Sequence, residues 1–220
     1  MGLNERKGAR RDRNINRSTR VPRFGYYLII TDTDETEKNY FEGLRDSIPE
    51  ELKSNIAIRV YETKTVDMVE KCRELRDKDP QYRIPWIVFD KDQVDDFDSI
   101  IRTAKKHDIN VGWSNPCIEI WFMAYLGEMP FVKDSISCCR LFKDKLLKIG
   151  KIKYKKSDKD IYKHLIKYGD EENAIAISEK KYLEFINDCI FNPSKMCPSS
   201  TLYILVGEIK SKIEKRLDSK

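Results

Sequence analysis

Histidine and paired cysteine motifs are nearly absent from this sequence. Only two of the 220 residues are histidine, His107 and His164, and the six cysteines include no C-x-x-C pair. Zinc sites usually combine cysteines and histidines at such short spacings, so this pattern argues against a zinc site. The cysteines lie singly within apolar or loop segments, apart from the adjacent Cys138 and Cys139. We therefore expect reduced thiols, buried or free, and no disulfide framework.

Long apolar stretches are also missing. The longest runs, such as residues 26–30, are far shorter than the ~20 residues that a membrane helix needs. The basic N-terminus has no apolar stretch behind it and does not resemble a secretory signal. Hydrophobic residues make up 40% of the chain and charged residues 36%. This composition predicts a cytoplasmic protein with no membrane partner.

Positive charge is abundant and concentrated in two segments. Residues 1–23 carry eight Lys or Arg and two acids, a charge of +6, whereas the whole chain is +5, so the remainder sums to −1. Residues 140–168 carry eleven Lys or Arg against three Asp. Charge concentrated in this way indicates a polyanionic partner, which we expect to be nucleic acid. The candidate backbone-binding residues are Arg10, Arg11, Arg13, Lys155 and Lys156.

Apolar runs typical of buried strands alternate with amphipathic helical patterns over residues 24–126. The strand-like runs are residues 26–30, 56–60, 86–89 and 109–113. Thr65 is a candidate cap for the second helix. The alternation predicts an α/β fold with a mostly parallel four-stranded sheet flanked by helices.

Two further segments complete the predicted domain organisation. Residues 1–23 contain almost nothing apolar and are expected to form a basic flexible leader. Residues 136–168, 171–191 and 199–217 have helical patterning without convincing strands. We therefore expect an α/β domain at 24–126 and a helical extension at 127–220.

Acidic residues follow two of the predicted strands. The first strand ends at Asp32, and the third ends at Asp90 and Asp92. Ligands of parallel α/β sheets bind beyond the carboxyl ends of the strands, so these side chains should share one edge. Clustered carboxylates repel one another unless a cation neutralises them, and oxygen donors favour Mg²⁺ or Mn²⁺. Alternatively, these acids are ordinary loop residues, and Asp34 and Glu37 form a helix capping box.

Glu119 stands out because it lies within a largely apolar helical segment, residues 117–126. A carboxylate in such surroundings must be paired, protonated or bound to a cation. The preceding Ser114 and Asn115 form a polar turn at the end of the fourth strand, on the same expected edge. The alternative is a structural hydrogen bond between Glu119 and a loop amide.

Several short motifs, taken in order, resemble the RloB-like family, which is associated with abortive infection and restriction-linked loci in prokaryotes. The resemblance covers nearly the whole chain. The family's arginine-rich leader is matched by residues 5–23, and its Glu-Gly-x-x-Thr-Glu-x-x-Tyr-Phe motif is matched in its second half by residues 36–41. The remaining matches are Phe89-Asp90-Lys91-Asp92, residues 114–121, Tyr154-Lys155-Lys156, Ala174-Ile175 and residues 198–201.

The resemblance implies a Toprim-like fold and a metal-dependent nuclease acting in anti-phage defence on DNA, tRNA or another RNA. The implied Mg²⁺ (or Mn²⁺) ligands are Asp32, Glu37, Asp90 and Asp92, and Glu119 joins or supports them as a catalytic residue. Lys91 or Lys155 would stabilise developing charge, and Ser114 and Asn115 would contact substrate. Similar proteins are paired with a separately encoded ATPase of the ABC/SMC type; this chain has no G-x-x-x-x-G-K-[ST] motif of its own.

One departure from the family pattern leaves a second function open. Asp32-Thr33 replaces the family's Glu-Gly, which shortens the first carboxylate by one methylene and removes the conformational freedom of glycine. The site could still bind metal, with Asp34 or Glu35 compensating. The alternative is a non-catalytic nucleic-acid-binding or sensing subunit of a defence complex. An RNA-binding accessory protein would explain the basic leader but not the convergent carboxylates.

Overall fold

A computed structural model of the chain describes residues 22, 25–32, 35–78, 83–92 and 94–217. The strands are β1 (Tyr26–Thr31), β2 (Ala57–Glu62), β3 (Arg83–Asp90), β4 (Asn110–Asn115) and β5 (Ser199–Ser200). The helices are α1 (Glu35–Asp46), α2 (Met68–Lys78), α3 (Phe97–Lys106), α4 (Glu119–Tyr125), α5 (Ser135–Gly150), α6 (Ile161–Tyr168), α7 (Glu171–Asn187) and α8 (Leu202–Leu217). Most of the predicted basic leader lies outside the described residues.

The strands form one sheet in the order β2-β1-β3-β4-β5. Strands β1 to β4 are parallel to one another, which confirms the predicted mostly parallel α/β architecture. The prediction of four strands was one short, because β5 adds a two-residue antiparallel pairing with the end of β4. Two serines have no apolar run that could mark them as a strand, and β5 is held by its partner: the hydroxyls of Ser114 and Ser200 are 3.1 Å apart.

Strand β1 explains why the apolar runs are continuous. Tyr27 and Ile29 point into one hydrophobic core, whereas Leu28 and Ile30 point into the core on the opposite face of the sheet. Successive side chains of a strand alternate between faces, so a strand covered on both faces must be apolar at every position. Helices α2 and α3 cover one face, and α1, α4 and α8 cover the other.

Apart from β5, the regular structure after residue 126 is helical, and the predicted helical segment 136–168 is divided into α5 and α6 by an irregular stretch at 151–160. Every residue of α4 is buried, as expected from its apolar sequence. Phe142 of α5, Leu165 of α6 and Leu205 of α8 belong to the same core cluster as Tyr27 of β1. The helices after residue 126 therefore pack against the sheet and on the helices that cover it.

The start of α2 differs from the expected cap. A 3-10 turn, Thr65–Asp67, precedes α2, and no side chain caps this turn. The Thr65 hydroxyl donates instead to the Asp32 carboxylate, because the strand end lies beside the turn. Over the ranges given above, the structure contains no helix long and apolar enough to cross a membrane.

Candidate functional site

The carboxyl ends of the parallel strands place acidic side chains along one edge of the sheet. Asp90 is the last residue of β3. Glu37 lies in the first turn of α1, the helix that follows β1, and Glu119 begins α4, just after β4. The βαβ connections therefore bring acids from three separate elements to the edge at which α/β folds bind ligands.

Glu37, Asp90 and Glu119 form a carboxylate cluster in which the two glutamates are buried and the aspartate is half-buried. Glu37 is 2% exposed and Glu119 is 1% exposed. Burial raises the pKa of Asp90 well above its ordinary value, and the charges of Glu37 and Glu119 and a hydrogen bond shared with Glu37 raise it further. Acids that repel one another in this way do not all ionise together unless a cation compensates their charge. Oxygen donors are the ligands that Mg²⁺ and Mn²⁺ prefer.

Neighbouring groups fix the orientation of two of these carboxylates. The backbone N–H of Ile118 donates to Asp90 Oδ2 at 2.9 Å, which partly offsets the rise in the pKa of Asp90. The hydroxyl of Tyr154 donates to Glu119 Oε1 at 2.9 Å. Burial and the adjacent Glu119 raise the pKa of Tyr154, so this phenol keeps its proton and remains a donor.

Asp92 lines a cavity of about 530 Å³ that adjoins the carboxylate cluster. The cavity combines two aspartates, Asp92 and Asp144, with three cationic side chains, and its wall also includes Cys139. The cationic residues are Arg140, Lys143 and Lys156. Lys156 also connects the cavity to the carboxylate cluster. Its carbonyl oxygen accepts a hydrogen bond of 3.0 Å from the hydroxyl of Thr36, the residue before Glu37. An anionic ligand would therefore meet positive charge beside the acids.

Asp32 lies in different surroundings. It accepts a hydrogen bond from Thr65 and lines a separate cavity of about 460 Å³ together with Asp95 and Asp96. The structure therefore brings together Glu37, Asp90 and Glu119, with Asp92 in the next cavity and Asp32 in another. A metal-binding role for Asp32 stays a prediction. Thr33 and Asp34, and with them the proposed capping box, lie outside the described residues.

Three residues predicted to contact substrate form hydrogen bonds within the fold. Lys91 Nζ donates to the carbonyl of Val94 at 3.1 Å. The Ser114 hydroxyl meets that of Ser200, and Asn115 Nδ2 donates to two carbonyls of the 3-10 turn before β5, each at 3.2 Å. These contacts attach the end of β4 to the segment that carries β5.

Four more residues were predicted to contact the substrate: Lys155 and three arginines of the leader. Lys155 is exposed, beside Tyr154. Arg10, Arg11 and Arg13 lie outside the described residues. Their roles stay predictions.

Reasoning from sequence missed several residues around the cluster. Tyr154 enters the sequence prediction only through a Tyr-Lys-Lys motif and Thr36 only through the motif at 36–41, and no pattern places Cys139 or Arg140 at this edge. An aromatic residue between lysines was the one available signal for Tyr154. Its contact with Glu119 joins residues 35 positions apart, which only the packing of the intervening helices decides.

Comparison with known protein families gives a match over most of the chain. The family model described as RloB-like protein matches residues 27–209. No curated protein and no solved structure matches the chain. The matched range contains the carboxylate cluster, Tyr154 and the residues that line the 530 Å³ cavity.

Proposed function

The chain belongs to the RloB-like family, and we propose that it is a magnesium-dependent nuclease with a Toprim-like sheet that presents Glu37, Asp90 and Glu119 to a phosphodiester. The convergence of these carboxylates supports the proposal most strongly. They come from three elements, with both glutamates buried and Asp90 half-buried, and desolvation and mutual repulsion raise the pKa of Asp90. Such a cluster is unfavourable on its own and becomes favourable around a divalent cation.

Some residues of the site would bind the metal ion, and others hold the carboxylates in place. Glu37 and Asp90 would hold Mg²⁺ or Mn²⁺, with Asp92 and Asp32 as further predicted ligands. Tyr154 holds Glu119 in one orientation, and Asp90 is fixed by a backbone N–H. A bound divalent ion polarises a phosphodiester and lowers the pKa of an attacking water.

The 530 Å³ cavity beside the carboxylate cluster would hold the substrate. Arg140, Lys143 and Lys156 lie beside Asp92, and cations at this position can neutralise the phosphates of a nucleic-acid backbone. Such contacts position a strand without reading its sequence. A role in anti-phage defence, with a separate ATPase of the ABC/SMC type as partner, is part of the same proposal.

The test is cleavage of plasmid, single-stranded DNA and total tRNA by the full chain with Mg²⁺ or Mn²⁺. We expect products with the wild type and a loss of product with Asp90→Asn and with Glu37→Gln. Asp98→Asn is the matched control, because Asp98 is a partly buried aspartate that accepts hydrogen bonds from Ser194 instead of joining the cluster. If the Asp90 and Glu37 variants cleave like the wild type, the proposed catalytic site is wrong.

Failure of the wild type to cleave any substrate, even with a candidate ATPase present, would favour the alternative of a nucleic-acid-binding or sensing subunit without catalysis. Asp32 has its own test in the same assay. Asp32→Asn preserves size and removes charge, so it should lower the rate at least ~10-fold if Asp32 is a ligand. Thr65→Val, which removes the hydroxyl bonded to Asp32, separates loss of charge from loss of position.

A further inference from the structure

A second group of potential metal ligands lies against the carboxylate cluster. Cys117 precedes α4, Glu119 begins α4, and Cys139 lies on α5. The two thiol sulfurs and a Glu119 oxygen all lie within 4.8 Å of one another. The packing of α5 against α4 brings them together, with Cys117 in a small apolar cluster that includes Ile120.

We propose that Cys117, Cys139 and Glu119 form a second metal site, selective for Zn²⁺ or a similarly thiophilic divalent ion. Sulfur ligands distinguish this site from the carboxylate cluster, because thiolates favour Zn²⁺ whereas oxygen ligands favour Mg²⁺. A tetrahedral ion with Zn–S bonds of ~2.3 Å needs two sulfurs ~3.8 Å apart, which small side-chain rotations can reach from the present separation. The proposal goes beyond the nuclease activity and does not depend on it.

The surroundings supply what a bound ion would need besides its ligands. Tyr154 donates to Glu119 Oε1, and hydrogen bonds of this kind orient metal-binding carboxylates. Cys139 is only partly buried and lines the 530 Å³ cavity, which provides a route for the ion. The three cationic residues of that cavity exceed its two aspartates by one charge, which would balance the single negative charge left by two thiolates, one carboxylate and a divalent cation.

The number of ligands indicates the kind of site. Three protein ligands leave one position of a tetrahedral zinc ion for water or another ligand. Sites of this composition bind or activate a ligand, whereas structural zinc sites use four protein ligands. Because Glu119 also belongs to the carboxylate cluster, an ion held by the two thiols would lie beside the proposed magnesium ligands.

Metal binding to the full chain is the test. Metal-free protein is titrated with Zn²⁺ in excess Mg²⁺, and with Co²⁺ while the sulfur-to-cobalt absorption is recorded. We expect one ion per chain that Mg²⁺ does not displace, with a thiolate signature in the Co²⁺ spectrum. Cys139→Ser should weaken Zn²⁺ binding by more than the ~10–100-fold that loss of a supporting residue causes. Cys189→Ser, at an exposed cysteine away from the site, should bind like the wild type.

Cys117 is buried, and Cys117→Ser could fail to fold, so a measurement on the wild type complements the variants. Zn²⁺ should slow alkylation of Cys139, read by peptide mass spectrometry, and leave that of Cys189 unchanged. No zinc binding by the wild type, a cobalt spectrum without sulfur bands, or wild-type affinity in Cys139→Ser would each overturn the proposal. None of these results bears on nuclease activity, which the Asp90 and Glu37 variants test separately.

Discussion

Replacing Asp90 by asparagine should stabilise the metal-free protein while removing its response to Mg²⁺. Burial and the charges of Glu37 and Glu119 raise the pKa of Asp90 well above its ordinary value of 3.8. At a pH above both the folded and the unfolded pKa, each unit of this rise lowers the free energy of unfolding by ~1.4 kcal/mol. Asparagine keeps the oxygen that accepts the Ile118 N–H and removes the charge, so the variant escapes this penalty.

The difference in stability between the wild type and Asp90→Asn should depend on pH. As the pH falls through the raised pKa of folded Asp90, the folded state takes up a proton before the unfolded state, and the wild type gains stability. The advantage of Asp90→Asn should therefore be largest at neutral and alkaline pH and disappear as the pH approaches the unfolded value near 3.8. Groups that do not interact with Asp90 contribute equally to both proteins at each pH and cancel. Glu37 and Glu119 do not cancel, because the variant also relieves them of repulsion by Asp90, which adds to its advantage.

Urea unfolding at a series of pH values, in EDTA and then in Mg²⁺, measures both effects. A ligand at 100 times its dissociation constant stabilises the folded state by ~2.7 kcal/mol, so Mg²⁺ should raise the stability of the wild type and leave that of Asp90→Asn almost unchanged. Glu51→Gln, which removes one charge from an exposed residue on the 3-10 turn before β2, is the control for net charge. If Asp90→Asn is less stable than the wild type in EDTA at neutral pH, the account of the cluster as mutually repelling acids is refuted.

Three further outcomes are expected. Tyr154→Phe should lower the free energy of unfolding by ~1–3 kcal/mol, measured in urea, because it leaves Glu119 with an unsatisfied buried oxygen; an unchanged value would contradict that hydrogen bond. Deleting residues 2–23 should weaken nucleic-acid binding and flatten the plot of log affinity against log salt by ~0.9 for each phosphate of duplex DNA that the leader neutralises, whereas an unchanged slope would point to a protein partner. Gly169→Ala should lower the melting temperature through a loss of ~1–3 kcal/mol, because its Cβ would lie 2.6 Å from the carbonyl oxygen of the last residue of α4. Gly207→Ala, whose Cβ meets nothing closer than 3.8 Å, is the control, and an equal loss there would argue against the clash.

The sequence by itself determined the α/β class and the two-sided burial of the sheet. A strand covered by helices on both faces needs an unbroken apolar run, so residues 26–30 and 86–89 were recognisable without tertiary information. The edge that carries the acids followed from the same reasoning, because parallel strands end on one side. The structure places Asp90 at the end of β3 and Glu119 at the start of α4, on that edge, and their roles stay predictions.

Tertiary packing alone decided which of the edge residues meet. Asp32 followed a strand as Asp90 did, yet the turn before α2 holds it in another cavity. The absence of short cysteine spacings argued against a thiolate site, but Cys117 and Cys139 come together because α5 packs beside α4. Local sequence patterns indicate which face of a helix or strand is buried. The contacts between residues far apart in the chain depend on how the helices pack together, and no single segment determines that packing.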